Sequence, residues 1–345
     1  MKPTSNILLW LVIICLLCGG DVVLSLRLRM DISPSSPSPS NIRDKAKATS
    51  PFTQAAKLTS MLGIGSLLMR PLSASARGGS NSITVLGANG RTGTKAVQVA
   101  AIARQRVYAV TRSGQYTEEN NANKEWIKNV ASDVTQSSTY GSLEECLRES
   151  RGVIFAASAS KNGGTPQQVD RDGVVEMAKL CIANKVPRFV VISSGAVTKP
   201  TSPVYLFLNV FGGIMKAKIE GEDELRRLYN SDLAKTNGCT YTIIRPGGLT
   251  EEPPKGVSEL ELNQGDDRSG RISRWDVASL AVECIKYKDA ENTTFECYDK
   301  NTAQPLANVG VNNILKKTEA AIEKTGFERS GDTFAAIFKG LTAII

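Results

Sequence analysis

The sequence predicts an α/β fold: a doubly wound parallel sheet in one domain, with a small substrate-loop region. Three observations predict it. From Ser82 onward, short and nearly continuous apolar runs alternate with segments of helical spacing, as strands do when helices cover both faces of a parallel sheet. A glycine-spaced turn, "ITVLGANGRTG" (83–93), joins the first apolar run to the first helical segment. A stretch rich in Pro, Gly and charge, 247–272, breaks the alternation behind a strand, and such stretches shape binding pockets.

Ahead of that domain the chain reads as a leader. Residues 1–26 look like a signal peptide: Lys2 precedes the apolar run Ile7–Cys18, and Gly19, Gly20 and Ser25 follow it. The run is too short for a comfortable membrane span and suits a signal core. Residues 27–80 are Ser/Pro-rich and basic like a transit peptide, with a second apolar patch at Met61–Met69 and an Ala74-x-Ala76 step. A signal segment followed by a transit segment resembles the leader of algae with complex plastids. It predicts a plastid protein of the stroma; the alternative is the secretory pathway or the thylakoid lumen. No stable transmembrane segment is expected once the leader is removed.

Charge agrees with this division. The chain carries +8, but eight of its 42 basic and three of its 34 acidic residues lie in 1–76, leaving the body close to neutral. A basic leader on a balanced body is a targeting pattern, not a polyanion-binding one. With aromatics at 6% and no basic stripe, no nucleic-acid partner is expected. His is absent, which removes the commonest metal ligand and every Ser-His or Cys-His nucleophile, so no metal site is expected. Five isolated cysteines (Cys146, Cys181, Cys239, Cys284, Cys297) in apolar surroundings are poor disulfide material and fit a reducing compartment.

Along the body, strands are expected at 82–86, 106–112, 152–158, 188–194, 241–246 and 293–298, with another before "ASDVT" (131–135). Helices are expected at 91–104, 141–149, 167–184, 216–236 and 274–287, from the three-and-four spacing of their apolar residues. Ser273 with Asp276 reads as a capping box that starts a helix at Trp275. The C-terminal "GDTFAAIFKGLTAII" is amphipathic and is expected to pack on the core.

The glycine loop is a phosphate cradle by position. Gly87 ends a strand in a tight turn, Gly90 lets backbone approach a pyrophosphate, and Gly93 lets the next helix pack closely on the sheet. Gly87, Ala88, Asn89, Gly90, Arg91, Thr92 and Gly93 are therefore cofactor-binding candidates, and the helix end offers free N–H groups to phosphates. The second strand ends "AVTRSG", with Arg112 where an acid would accept a ribose 2′-hydroxyl. A guanidinium suits a 2′-phosphate, so NADP(H) is favoured over NAD(H). Arg91 offers a second positive contact. Asp133, after the third strand, is either an adenine contact or a helix cap.

With these residues in view, the chain resembles an atypical short-chain dehydrogenase/reductase, nearest the NmrA-like and plastid Tic62-like groups, on a Rossmann-type fold. The resemblance rests on "VLGANGRTG", "VTRS", "VIFAASAS", "RFVVISSGAV", "KAKIEGEDELR" and "YTIIRPGGL" in that order. It implies that Ser193 or Ser194 flanks the reaction site and that Lys218 holds the nicotinamide ribose. It further implies that Ala157 and Ser158 line the nicotinamide side. The competing readings are that the serines only end a strand, that Lys218 pairs with Glu222 on a solvated helix face, and that Arg245 is a structural ion-pair partner.

One departure matters. Classical members place a proton-carrying Tyr four residues before the Lys; here Ile214 stands four before Lys218. Tyr205 is the nearest tyrosine and a weak catalytic candidate. Two functions follow. One is an NADP(H)-dependent oxidoreductase on a small carbonyl or quinone-type metabolite. The other is a non-catalytic NADP(H)-binding redox sensor, or an assembly or docking factor whose partner is a photosynthetic complex of the plastid.

Overall fold

Strand β1 (Ser82–Leu86) is buried along its whole length, as expected where helices cover both faces. The computed structural model of the protein describes residues 81–117, 123–161, 163–210, 212–306, 309 and 326–344. The signal and transit expectations for 1–26 and 27–80 lie outside them. After β1 come α1 (Arg91–Ile102), β2 (Arg106–Thr111), β3 (Ile127–Ala131), α2 (Tyr140–Glu149) and β4 (Ser150–Phe155). A π turn, Gln167–Gly173, then runs directly into α3 (Val174–Ala183), followed by β5 (Arg188–Ile192). Next are α4 (Pro203–Asn209), α5 (Ile214–Tyr229), α6 (Asp232–Asn237), β6 (Thr240–Pro246) and β7 (Gly248–Thr250). The rest comprises β8 (Leu260–Asn263), β9 (Arg268–Ser269), β10 (Arg271–Ser273), α7 (Arg274–Cys284), β11 (Thr293–Asp299), β12 (Gln304–Pro305) and α8 (Phe334–Phe338).

Eight strands form the main sheet in the order β3-β2-β1-β4-β5-β6-β11-β8. All neighbours are parallel except β8, which runs antiparallel to β11. The order reverses between β1 and β4, and ligands of open α/β sheets bind beyond the strand ends at such a switch point. On one face Val97, Ala100 and Ala101 of α1 share a buried cluster with Val277, Leu280 and Ala281 of α7. On the other face Leu147 of α2, Met177 and Cys181 of α3, and Leu225 and Tyr229 of α5 cover Phe155, Phe189 and Tyr241. Each large side chain so buried contributes roughly 1.5–3 kcal/mol.

Local details depart from the sequence reading for identifiable reasons. The first helix stops at Ile102, because Arg104 adopts a φ of 54°. Segment 216–236 starts at Ile214 and divides at Ser231, whose hydroxyl caps α6 by accepting the Ala234 N–H. The region 247–272 is not a plain loop, since it contributes β7 to β10, and β8 becomes the eighth strand of the main sheet. Helix α7 begins at Arg274 rather than Trp275. Ser273 caps it by accepting the Trp275 N–H, but no reciprocal capping box forms. The buried Asp276 carboxylate instead accepts the N–H groups of Lys255 and Gly256, which satisfy a charge that burial would otherwise penalise.

The C-terminal segment packs on the core: Phe338 is buried, with its ring 5.6 Å from Tyr287 and 6.1 Å from Phe295. All five body cysteines are buried and none is in a disulfide. Among the described residues no helix is long and apolar enough to cross a membrane.

Candidate dinucleotide site

The glycine loop sits at the C-terminal end of β1, beside β4. Gly87 has a φ of 77°, and a Cβ there would stand 2.8 Å from the Ala157 backbone. A Cβ on Gly93 would stand 2.1 Å from the Gly87 carbonyl oxygen. Only glycine permits these two approaches, which press the start of α1 onto the turn. Gly90 is the N-cap of α1, with no side-chain cap and no acid in the first turn, so the positive helix end points into the crevice. Asn89 is committed elsewhere: its Nδ2 donates to the Gln115 carbonyl at 2.7 Å and its Oδ1 accepts the Thr117 N–H at 3.1 Å. Ala88 is buried, and its N–H donates to the Val110 carbonyl. Thr92 lies half-buried in the first turn.

The two arginines occupy separate neighbourhoods. Arg112 follows β2, and a Cβ on Gly163, in the segment after β4, would lie 3.5 Å from its Nη1. Arg91 Nη1 lies 3.7 Å from Glu251 Oε1, just past β7. Asp133 closes a turn after β3, with Oδ1 accepting both the N–H and the hydroxyl of Thr135; it caps no helix.

On the opposite face of the sheet, Lys218 of α5 is drawn inward. Its Nζ lies 2.7 Å from Asp170 Oδ1, and the Asp170 side chain is fully buried. Ser158 donates its hydroxyl to the same oxygen at 2.7 Å, and the Ala159 N–H donates to Oδ2 at 2.8 Å. Three donors thus satisfy the oxygens of this buried side chain. Sequence reasoning missed Asp170. The signal available was a lone acid within the apolar set Val169, Val174, Met177 and Cys181, at positions where a solvated acid has no place.

Glu222, one turn beyond Lys218, is also buried rather than solvated, and it does not pair with that lysine. It accepts the Ser193 hydroxyl at 2.5 Å and faces Arg245 Nη2 at 2.6 Å and Arg226 Nη2 at 2.8 Å. Burial pushes its pKa up, but the Arg245 and Arg226 charges prevail and hold it below the ordinary value. Glu222 therefore stays a carboxylate, and the Ser193 proton points at it. Arg245 is the structural ion-pair partner, with Nη1 also 3.3 Å from Glu296 Oε1. The Ser194 hydroxyl donates to its neighbour's carbonyl, Gly195 O, at 3.1 Å.

A small cavity lies between the two polar groups, lined by Phe155, Asp170, Val174, Ile192, Ser193, Lys218 and Glu222. Thus Lys218 and Ser193 meet at one cavity, and Ser158 joins them through Asp170. Tyr205 does not line it. That residue is buried in a separate cluster with Ala196, Val197, Met215 and Leu306. Ala157 stands against Gly87, at the junction of glycine loop and β4.

Comparison with known proteins bears on the family and the fold. Residues 87–288 match the model of a family described as NAD(P)H-binding. The chain is 30% identical to an uncharacterized chloroplastic protein of Arabidopsis thaliana over 216 residues, 60% of this chain and 73% of that one. It is 25% identical to an uncharacterized sugar epimerase of Bacillus subtilis over 236 residues, 65% of this chain and 96% of the relative. A stretch of 87 residues, 25% of this chain and 13% of the relative, is 41% identical to the chloroplastic protein High Chlorophyll Fluorescence Phenotype 173 of Arabidopsis thaliana. Among solved structures, a short-chain dehydrogenase/reductase from Veillonella parvula in complex with NADP shares the fold. Its TM-score is 0.50 at 17% identity, over 64% of this chain and 96% of that one.

Proposed function

The chain belongs to the NAD(P)H-binding family, and from that premise we propose that it is an NADP(H)-dependent oxidoreductase of the atypical short-chain type. Its substrate is a small carbonyl or quinone-type metabolite. The observation that carries this reading is the buried Lys218–Asp170 pair, shared with Ser158 and open to the Ser193 cavity. A lysine and a buried aspartate paired at a strand-end cavity, with a serine hydroxyl on the same carboxylate, form an arrangement suited to chemistry more than to packing.

The residues fit a dinucleotide, because Gly87 and Gly93 let the turn pack against Ala157 and against the start of α1, which leaves the uncapped N-terminal N–H groups of α1 beside the loop with no acid in the first turn. Gly87–Gly93 and the α1 end would take the pyrophosphate, Arg112 a 2′-phosphate, and Lys218 the nicotinamide ribose. Ala157 and Ser158 would border the nicotinamide. Bound there, NADP(H) supplies or accepts the hydride. The protein's part is orientation and proton custody. Ser193 donates its hydroxyl hydrogen bond to Glu222, so toward the cavity it presents lone pairs and accepts. Lys218 has three N–H donors and Asp170 takes one of them, which leaves Nζ as the atom that holds a transferable proton. This replaces the absent Tyr; neither Ser194 nor Tyr205 is needed for that step.

The chloroplastic relatives support a plastid location, and the leader supports the stroma. A second reading, a non-catalytic NADP(H) sensor or assembly factor of a photosynthetic complex, draws on the stretch shared with High Chlorophyll Fluorescence Phenotype 173. One experiment separates the two. The full chain is given NADPH with a panel of quinones and carbonyls, and loss of reduced-nicotinamide absorbance is followed. Turnover that vanishes in Lys218→Ala supports the enzyme, and tight binding without turnover on any class supports the sensor.

A further inference from the structure

Helices α1 and α7 share one buried cluster on a single face of the sheet, and each opens with an arginine, Arg91 and Arg274. One carboxylate stands between them. Glu251 Oε1 lies 2.7 Å from Arg274 Nη1 and 3.7 Å from Arg91 Nη1. Two guanidinium groups around one carboxylate leave the cluster with a net positive charge, and both helix ends add to it. A second acid nearby, Asp276, has turned its oxygens to the Lys255 and Gly256 N–H groups. Burial lowers the Arg274 pKa, the Arg91 charge lowers it further, and Glu251 restores only part. Arg274 is 8% exposed, whereas the Glu251 side chain is 57% exposed. The cation is thus built in, and the anion is the loosely held member. Guanidinium pairs prefer planar or tetrahedral oxyanions that accept several N–H groups at once. A single carboxylate oxygen uses little of that capacity.

We propose that Arg91 and Arg274 form a phosphoryl subsite beside the glycine loop, and that Glu251 is its internal occupant, displaced when a phosphorylated ligand binds. The ligand chemistry is a phosphate oxyanion, borne either by the pyrophosphate of the dinucleotide or by a phosphate ester of the substrate. Glu251 directly follows β7, the strand that opens the 247–272 region. Its release would untie that region from the glycine loop, so ligand binding and the mobility of the region are coupled. The first source rests on the dinucleotide reading; the subsite itself does not.

Calorimetry on the full chain tests this with three titrants: inorganic pyrophosphate, NADPH, and inorganic phosphate added to NADPH-saturated protein. Glu251→Gln keeps the shape and removes the charge at an exposed position. It is expected to tighten pyrophosphate by at least about fivefold, and Arg91→Met and Arg274→Met are expected to weaken it by about tenfold or more. Arg91 is exposed, so its variant remains informative even where Arg274→Met fails to fold. Tightening that extends to NADPH assigns the subsite to the dinucleotide; tightening confined to phosphate on the saturated protein assigns it to substrate. Identical binding of all titrants by Glu251→Gln and the parent overturns the subsite while leaving the dinucleotide reading intact. A parent that ignores NADPH, with Glu251→Gln still tightening pyrophosphate, overturns the dinucleotide reading and upholds the subsite.

Discussion

Ala196 donates its backbone N–H to Asp266 Oδ1 at 2.5 Å, and both residues hold left-handed backbone, with φ of 68° and 55°. Asp266 Oδ2 also accepts the N–H and the hydroxyl of Thr198. One buried carboxylate therefore shapes the turn that follows Ser193 and Ser194. Asp266→Ala removes three acceptor contacts and leaves buried donors without partners, at about 1–3 kcal/mol each when none is replaced by water. The expected loss is about 3 kcal/mol in urea denaturation, against about 1 kcal/mol for Thr198→Val. Equal losses from the two variants would refute the turn's dependence on Asp266.

Glu296 links that turn to the ion pairs behind Ser193. Its Oε2 accepts the Gly265 and Asp266 N–H groups, while Oε1 faces Arg245. Burial and the Asp266 charge raise its pKa from the ordinary 4.5 to about 7, against the opposing pull of Arg245. A carboxyl whose folded-state pKa is raised binds its proton more tightly when folded. Its stabilising contribution is complete below about pH 4.5 and disappears as pH rises through about 7. The expected size is up to about 3 kcal/mol. Glu296→Gln should therefore gain stability relative to the parent as pH goes from 5 to 8. Parallel pH profiles for the two proteins would remove the argument.

What the sequence revealed, and what it hid, divides by range of contact. Gly90 and Gly93 are legible because their constraint, the Gly87 carbonyl, lies within a few residues, and Gly87 because its positive φ is local even though its contact with Ala157 is not. Strands β1, β2 and β4 to β6 are legible because burial on both faces writes a continuous apolar run. Asp170 was hidden because its partners Ser158 and Lys218 lie 12 and 48 residues away, and only the π turn brings them together. Glu222 read as a solvated neighbour of Lys218, because i,i+4 spacing records proximity on a helix and not which way the helix faces. Strand β8 read as loop, because "LELN" is short and polar at alternate positions. It is a strand by virtue of β11 beside it.

If Arg112 takes the 2′-phosphate as proposed, it sets the choice of cofactor. Charge-assisted hydrogen bonds to a phosphate are worth about 1.5–3 kcal/mol. Arg112→Ala is therefore expected to weaken NADPH by about tenfold to a hundredfold and to leave NADH within about twofold. Added salt should weaken NADPH more than NADH in the parent and narrow that gap in the variant. Fluorescence titration of reduced nicotinamide reads both. Equal weakening of the two cofactors would strip the 2′-phosphate assignment of its support.

Gly221 governs how closely α5 approaches the π turn that carries Asp170. A Cβ there would stand 2.6 Å from the Asp170 carbonyl oxygen and 3.2 Å from Arg171 Cα. These are backbone atoms, which cannot step aside as a side chain can. Gly221→Ala gains about 1 kcal/mol of helix propensity, but overpacking against backbone costs about 1–3 kcal/mol. The balance is expected to be a net loss, and α5 to move outward with Lys218, one turn earlier. Lys218 would then lose its 2.7 Å contact with Asp170, so dinucleotide affinity is expected to fall along with the melting temperature. Gly141 in α2 supplies the control, since a Cβ there meets nothing within 4 Å. Gly141→Ala is expected to stabilise by about 0.5–1 kcal/mol without touching affinity. If both alanines stabilise alike, close packing of α5 on the π turn does not hold Lys218 in place, and the buried pair must be maintained by electrostatics alone.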